Sequence, residues 1–298
     1  MDALVAECFT RVGQKLAFPQ PDNFQLVHRA PGIAASTVLF VGVVSLYEFG
    51  YREIRTFGRR VLSSLATAKP DTRHVATTVH GPGYGLDAIE AFEAEVAGLL
   101  DAIRGRDMPH ALQKITVVEQ RASRAQLLQQ ALAELLPQGH IVVDGEPLRS
   151  AAQEDRTERL RAAGYASESK AHIFVAMPFR EDMDDIYHYG IQGAVRAAGF
   201  VCERADLSTF TGDIMEWVKR RIKSASLLVA DLTDANPNVY LEVGYAWGCG
   251  IPTILLVHDT DHLKFDVRGQ RCLVYKRIKD LEETLSRELA RLREQGHV

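Results

Sequence analysis

The chain has 298 residues, is 46% hydrophobic, and carries a formal net charge of −4 with a pI of about 6.2. That length fits one large domain or two ordinary ones. The acidic balance argues against nucleic acid as the main partner. The longest apolar run, Thr37 to Leu46, is about ten residues where a membrane span needs about 20, so no membrane partner is expected.

In chain order, Asp2 to Leu16 reads as an amphipathic helix ended by Pro19 and Pro21. Its opening residues lack a basic segment followed by an apolar stretch, so no secretory signal is expected. Thr37 to Val44 is a continuous apolar run and predicts a buried strand. Arg52 to Ala68 carries a helical stripe of Ile54, Phe57, Val61, Leu62 and Leu65, and His74 to His80 is β-rich. Leu86 to Ile103 predicts a helix, Ile115 to Val118 a strand and Ser123 to Leu136 another helix. Alternation of this kind implies an α/β fold with a mostly parallel sheet. The pattern lapses from Pro137 to Lys170, a connector that includes a charged helix at Ser150 to Ala163. A second α/β run follows, with strands at Ile173–Met177, Phe200–Arg204, Leu227–Ala230, Thr253–Val257 and Cys272–Tyr275, and a closing helix from Leu281 to Arg293.

Cys8, Cys202, Cys249 and Cys272 form no Cys-x-x-Cys pair, and no histidine cluster has metal-ligand spacing. No metal site is therefore expected. Isolated thiols in apolar surroundings fit a reducing, cytoplasmic setting.

Two stretches carry candidate chemistry. The first is Gly81-Pro82-Gly83-Tyr84-Gly85-Leu86-Asp87 at a strand–helix junction. Its closely spaced glycines could turn backbone N–H groups toward a phosphate, with Tyr84 as a stacking surface. The plainer reading is a tight turn, with Asp87 as N-cap and Glu90 placed as in a capping box. The second runs from Leu227 to Gly248. An apolar strand ends in Asp231, a polar turn follows, Asn236 caps a helix with Pro237 first, and Glu242 lies among Val239, Leu241, Val243 and Tyr245. Carboxylates and asparagines thus gather at the carboxyl end of a strand, where open α/β sheets bind ligands. Plainer readings stay open here too. Asp231 would bond the turn amides, Glu242 would favour the helix dipole, Asp213 would be an N-cap, and Phe179, Tyr245 and Trp247 would be core.

The Val229–Gly248 run resembles the nucleoside 2-deoxyribosyltransferase-like superfamily and the related bacterial TIR-like domains. Ile173 to Phe179, with its Met177-Pro178-Phe179 ending, is similar to their first strand. Gly212-Asp213-Ile214 is similar to the start of the helix before the Asp231 strand, and Phe265 to Gly269 with Cys272 to Tyr275 to their last strands. The resemblance covers roughly Ala171 to His297. Phe24 to Leu136 more loosely resembles the macro-domain group, including the N-terminal domain of leucyl aminopeptidases, through Thr37–Val44 and the Gly81–Gly85 loop.

These resemblances imply two α/β domains. A macro-like, nucleotide-sensing domain would occupy residues 1–140, a linker 141–170, and a flavodoxin-like, deoxyribosyltransferase-like or TIR-like catalytic domain 171–298. They imply cleavage of an N-glycosidic bond, with Glu242 as the carboxylate facing C1′, Asp231 as helper carboxylate and Asn238 orienting Glu242 or the sugar. Met177, Pro178, Phe179, Asp213 and Gly244 would contact substrate, and Gly81, Gly83, Tyr84 and Gly85 a regulatory ligand. The expected activity is hydrolysis of NAD+, a substrate rather than a cofactor, by a ligand-regulated effector of the kind used in antiviral defence. A homo-oligomer and a nucleotide activator are the expected partners. The alternatives are a nucleoside 2-deoxyribosyltransferase and a non-catalytic nucleotide sensor.

Overall fold

The computed structural model describes residues 18–29, 33–45, 47–136, 151–204, 214–260, 263–264, 267, 270 and 272–296. The helix expected at Asp2–Leu16, together with Cys8, Asp213, Phe265, Asp266, Arg268 and Gly269, lies outside them. The fold is α/β, and its largest sheet has five parallel strands.

Contacts divide the chain into two compact units that do not follow the boundaries expected near 140 and 170. One unit takes its described residues from the stretch up to Thr78, from Glu93–Val118 and from the stretch ending at Gly164. The other takes Val79–Phe92, the stretch starting at Glu119, and Tyr165 onward.

In the first unit, β1 (Phe24–His28) pairs antiparallel with β2 (Thr37–Val41), and β3 (His74–Thr78) pairs parallel with β4 (Lys114–Val118). β2 is half-buried rather than fully buried, because it has β1 on one side only. The helix Tyr51–Ala68 buries Ile54, Val61, Leu62 and Leu65. It crosses the later part of the helix Ala88–Arg104 through two glycines. A Cβ on Gly58 would lie 2.4 Å from the Glu95 carbonyl oxygen, and one on Gly98 would lie 1.9 Å from that of Arg55. Arg55 is bidentate to Asp101 and donates to the carbonyls of Leu160, Arg161 and Ala163, satisfying the end of the helix Ala151–Ala162.

In the second unit, β5 (His172–Ala176), β6 (Val201–Glu203), β7 (Leu227–Asp231), β8 (Thr253–Val257) and β9 (Cys272–Val274) lie in the order β6-β5-β7-β8-β9, all parallel. β5 and β7 are buried at every residue, as apolar strands covered on both faces must be. On one face Ile173, Val175, Leu227, Val229 and Leu256 meet Ile191, Val195 and the Leu281–Leu285–Leu289 stripe of the helix Ile278–Glu294. The helices Ile214–Ser224 and Pro237–Gly248 pack against the sheet and each other. Strand order reverses between β5 and β7, so the ligand crevice of a doubly wound sheet falls at their carboxyl ends. Among the described residues no helix is long and apolar enough to cross a membrane.

Candidate functional site

At the carboxyl end of β5 stand Met177, Pro178 and Phe179. Met177 and Pro178 are buried, and Phe179 is half-buried. Arg180 follows and ion-pairs with Asp182 of its own loop and with Asp234 of the turn after β7, so the two strand-end loops are tied together at the mouth.

From β7 comes Asp231, with no exposed surface. Its Oδ1 accepts from the Thr233 amide at 2.9 Å and its Oδ2 from the Tyr275 hydroxyl at 2.7 Å. Burial pushes its carboxyl above the ordinary value, and those two bonds pull the other way. Both oxygens are thus spent on the protein, one of them on the turn amide that the plainer sequence reading assigned to it. Tyr275, which packs edge-on against His258 at 5.5 Å between ring centres, is a residue that sequence reasoning missed. It is 44 positions away in the chain, with no local signal to connect it to Asp231.

Glu242 stands on the next helix. Asn236 caps that helix by accepting from the Asn238 amide at 3.0 Å, and Pro237 opens it. The buried stripe is Val239, Glu242, Val243 and Ala246. A carboxyl group therefore occupies a position where helical periodicity calls for an apolar side chain. Among the described residues Glu242 has no hydrogen-bond or ion-pair partner, and burial alone pushes its pKa up to about 8. Asn238, one turn earlier, is exposed, and so is Gly244, where an added Cβ would meet nothing within 4 Å.

The Gly81–Gly85 loop belongs to this same unit. It is a 3-10 turn, Pro82–Tyr84, between Gly81 at φ 104° and Gly85 at φ 94°. Its amides are used internally: those of Tyr84 and Leu86 donate to the Gly81 carbonyl and that of Gly85 to the Pro82 carbonyl. The cradle of free N–H groups expected for a phosphate is absent at those three residues. Gly85 is confined by Trp217, whose Cη2 lies 2.3 Å from where a Cβ would stand, whereas Gly83 faces open space and Tyr84 is exposed.

Asp87, fully buried, caps the following helix through the amides of Ile89 and Glu90. It also accepts from Gln192, Arg196 and the Cys202 amide on β6. Glu90 does not complete a capping box but takes hydrogen bonds from Ser167 and Lys170.

The structure thus brings Met177, Pro178, Phe179, Asp231 and the Glu242 helix to neighbouring strand ends of one sheet. Among the described residues no group of three His, Cys, Asp or Glu side chains is arranged to hold a metal.

No family model matches the chain, and no curated protein matches it. Among solved structures, a CMP N-glycosidase of Clostridium botulinum, BcmB, is similar with a TM-score of 0.33 and 17% identity, over 39% of this chain and 98% of that one. At this level the neighbour assigns neither family nor activity to the chain.

Proposed function

We propose that the protein cleaves the base–sugar bond of a nucleotide, with Glu242 facing the anomeric carbon. The observation that carries this reading is Glu242 itself, a buried carboxyl with no protein partner among the described residues, on the helix that leaves the central strand at the crevice. An uncommitted carboxyl in such a place costs stability, and a functional site is where such a cost is tolerated. Cleavage of an N-glycosidic bond passes through an oxocarbenium-like state, and a carboxylate beside it lowers the barrier in a dry site. Asp231, with both oxygens engaged, acts as a positioning residue for the turn that launches the Glu242 helix.

NAD+ is the finer form of the proposal. Its pyridinium is cationic, and a cation near Glu242 lowers the carboxyl's pKa, so the substrate would itself ionise the group. Nicotinamide then leaves neutral and needs no proton. A neutral base would instead call on Glu242 in its protonated form as general acid, and that second reading draws on the same raised pKa. A ligand-regulated role, including one in antiviral defence, and a homo-oligomeric state rest on the sequence resemblance alone.

The test is to incubate the full chain separately with NAD+, cytidine monophosphate and deoxynucleosides, with and without an acceptor base, and to separate the products by chromatography. Free nicotinamide or free base without an acceptor is expected, and release that requires an acceptor would mark a transferase. Glu242→Gln should lower turnover by roughly 10²-fold or more. Full activity in a folded Glu242→Gln protein, or no base from any substrate, overturns the reading.

A further inference from the structure

Arg204, just past β6, is a cation that the proposed reaction leaves unused. It is 7% exposed, and its guanidinium carbon lies 4.3 Å from the Phe179 ring centre and 4.1 Å from that of Tyr187. Nη2 donates to Asp184 Oδ1 at 3.1 Å, and Nη1 to the Met177 sulfur at 3.5 Å, a weak acceptor. These contacts use a minority of the donors in the guanidinium fork, and the remainder meet no acceptor among the described residues. Arg121 reaches the same Asp184 oxygen at 3.5 Å, so two guanidiniums share one carboxylate.

Among the described residues no fully buried side-chain nitrogen or oxygen lacks a partner, so the Arg204 N–H groups left over are ones that solvent still reaches. The group that best matches a guanidinium fork is an oxyanion that accepts two parallel hydrogen bonds. β6 is hydrogen-bonded to β5, and such neighbours run about 4.8 Å apart. Arg204 therefore stands one strand away from the Met177–Phe179 end, within the span of a nucleotide. The side chains that would wall the sugar are also the ones that hold Arg204.

We infer that Arg204 is the centre of an oxyanion subsite that takes the phosphate of the substrate. This rests on the reading that the crevice holds a nucleotide, and it narrows the substrate class to phosphorylated forms over free nucleosides.

The experiment titrates the full chain with inorganic phosphate and pyrophosphate by calorimetry, in the wild type, Arg204→Lys and Asp184→Asn. Hydrolysis of a nucleoside 5′-monophosphate is then compared with that of its nucleoside. The wild type should bind the anions, and phosphate should compete with the nucleotide. Arg204→Lys keeps the charge but loses the planar fork and its paired hydrogen bonds, and should weaken binding about 10-fold. Asp184→Asn removes a competing carboxylate and should tighten binding. A purely structural role for the cluster would weaken both variants or leave both unchanged, and either result overturns the subsite, as does a wild type that binds neither anion. If Arg204→Lys does not fold, Asp184→Asn still decides. If no base is released from any substrate but the opposite shifts persist, the Glu242 reading fails and the subsite stands.

Discussion

Glu242 makes a quantitative prediction that needs no substrate. Burial holds its carboxyl at a pKa of about 8, against 4.5 ordinarily. Between those values the folded protein keeps a proton that the unfolded chain has released. Unfolding free energy therefore falls as pH rises through this window, by about 1.4 kcal/mol per pH unit. Glu242→Gln keeps the shape and removes the titration. Relative to wild type, the variant should gain about 1 kcal/mol at pH 5, about 3 kcal/mol at pH 7 and about 5 kcal/mol at pH 9. The sign is that of a raised carboxyl: stability is present at low pH and is lost as the pH approaches and passes about 8. The assay is urea unfolding of both proteins at the three pH values, followed by tryptophan fluorescence, with the slope on denaturant checked for constancy. Two stability curves that run parallel from pH 5 to 9 would show that Glu242 is solvated or paired, and would remove the basis for its assignment.

Three variants probe the Gly81–Asp87 segment. Asp87→Asn leaves the buried donors of Gln192 and the Cys202 amide and the half-buried Arg196 facing a neutral amide; it should destabilise by about 3 kcal/mol, with red-shifted Trp217 emission as the loop separates from the indole. Gly85→Ala places a methyl group against Trp217 at a positive φ and should cost about 1–3 kcal/mol. Gly83→Ala, which meets nothing, should melt within a degree or two of wild type; equal effects at the two glycines would contradict the loop geometry.

The strands of the second unit were legible because each is a short apolar run bounded by turn residues. Thr253–Val257 agrees to the residue, and β5, β6, β7 and β9 agree within a residue at either end. The helices Tyr51–Ala68, Ala88–Arg104 and Ala122–Leu135 were legible from their 3.6-residue stripes. β1 was not, since Phe24–His28 is exposed at both ends and carries no apolar run. Neither was the π-helical segment Ile186–Gln192, whose hydrogen-bond pattern leaves no periodic mark of its own.

In the site, Glu242 could be found from sequence because its neighbours on the helix are apolar. Tyr275 and Arg204 could not, because their roles depend on residues one or two strands away. Asp87 was read as a helix cap, which it is, but its Gln192, Arg196 and Cys202 partners lie 105 to 115 positions downstream.

That separation has a consequence during synthesis. At about 5–20 residues per second, the carboxylate of Asp87 leaves the ribosome roughly 5–25 s before the groups that neutralise it exist. Through that interval the nascent chain carries an acid destined for full burial, together with the apolar face of the helix it caps. No single cut divides the two units, because the chain alternates between them. The unit that holds Asp87 cannot finish folding until the chain past Tyr165 has been made, and an exposed intermediate of this kind is the form a chaperone would meet.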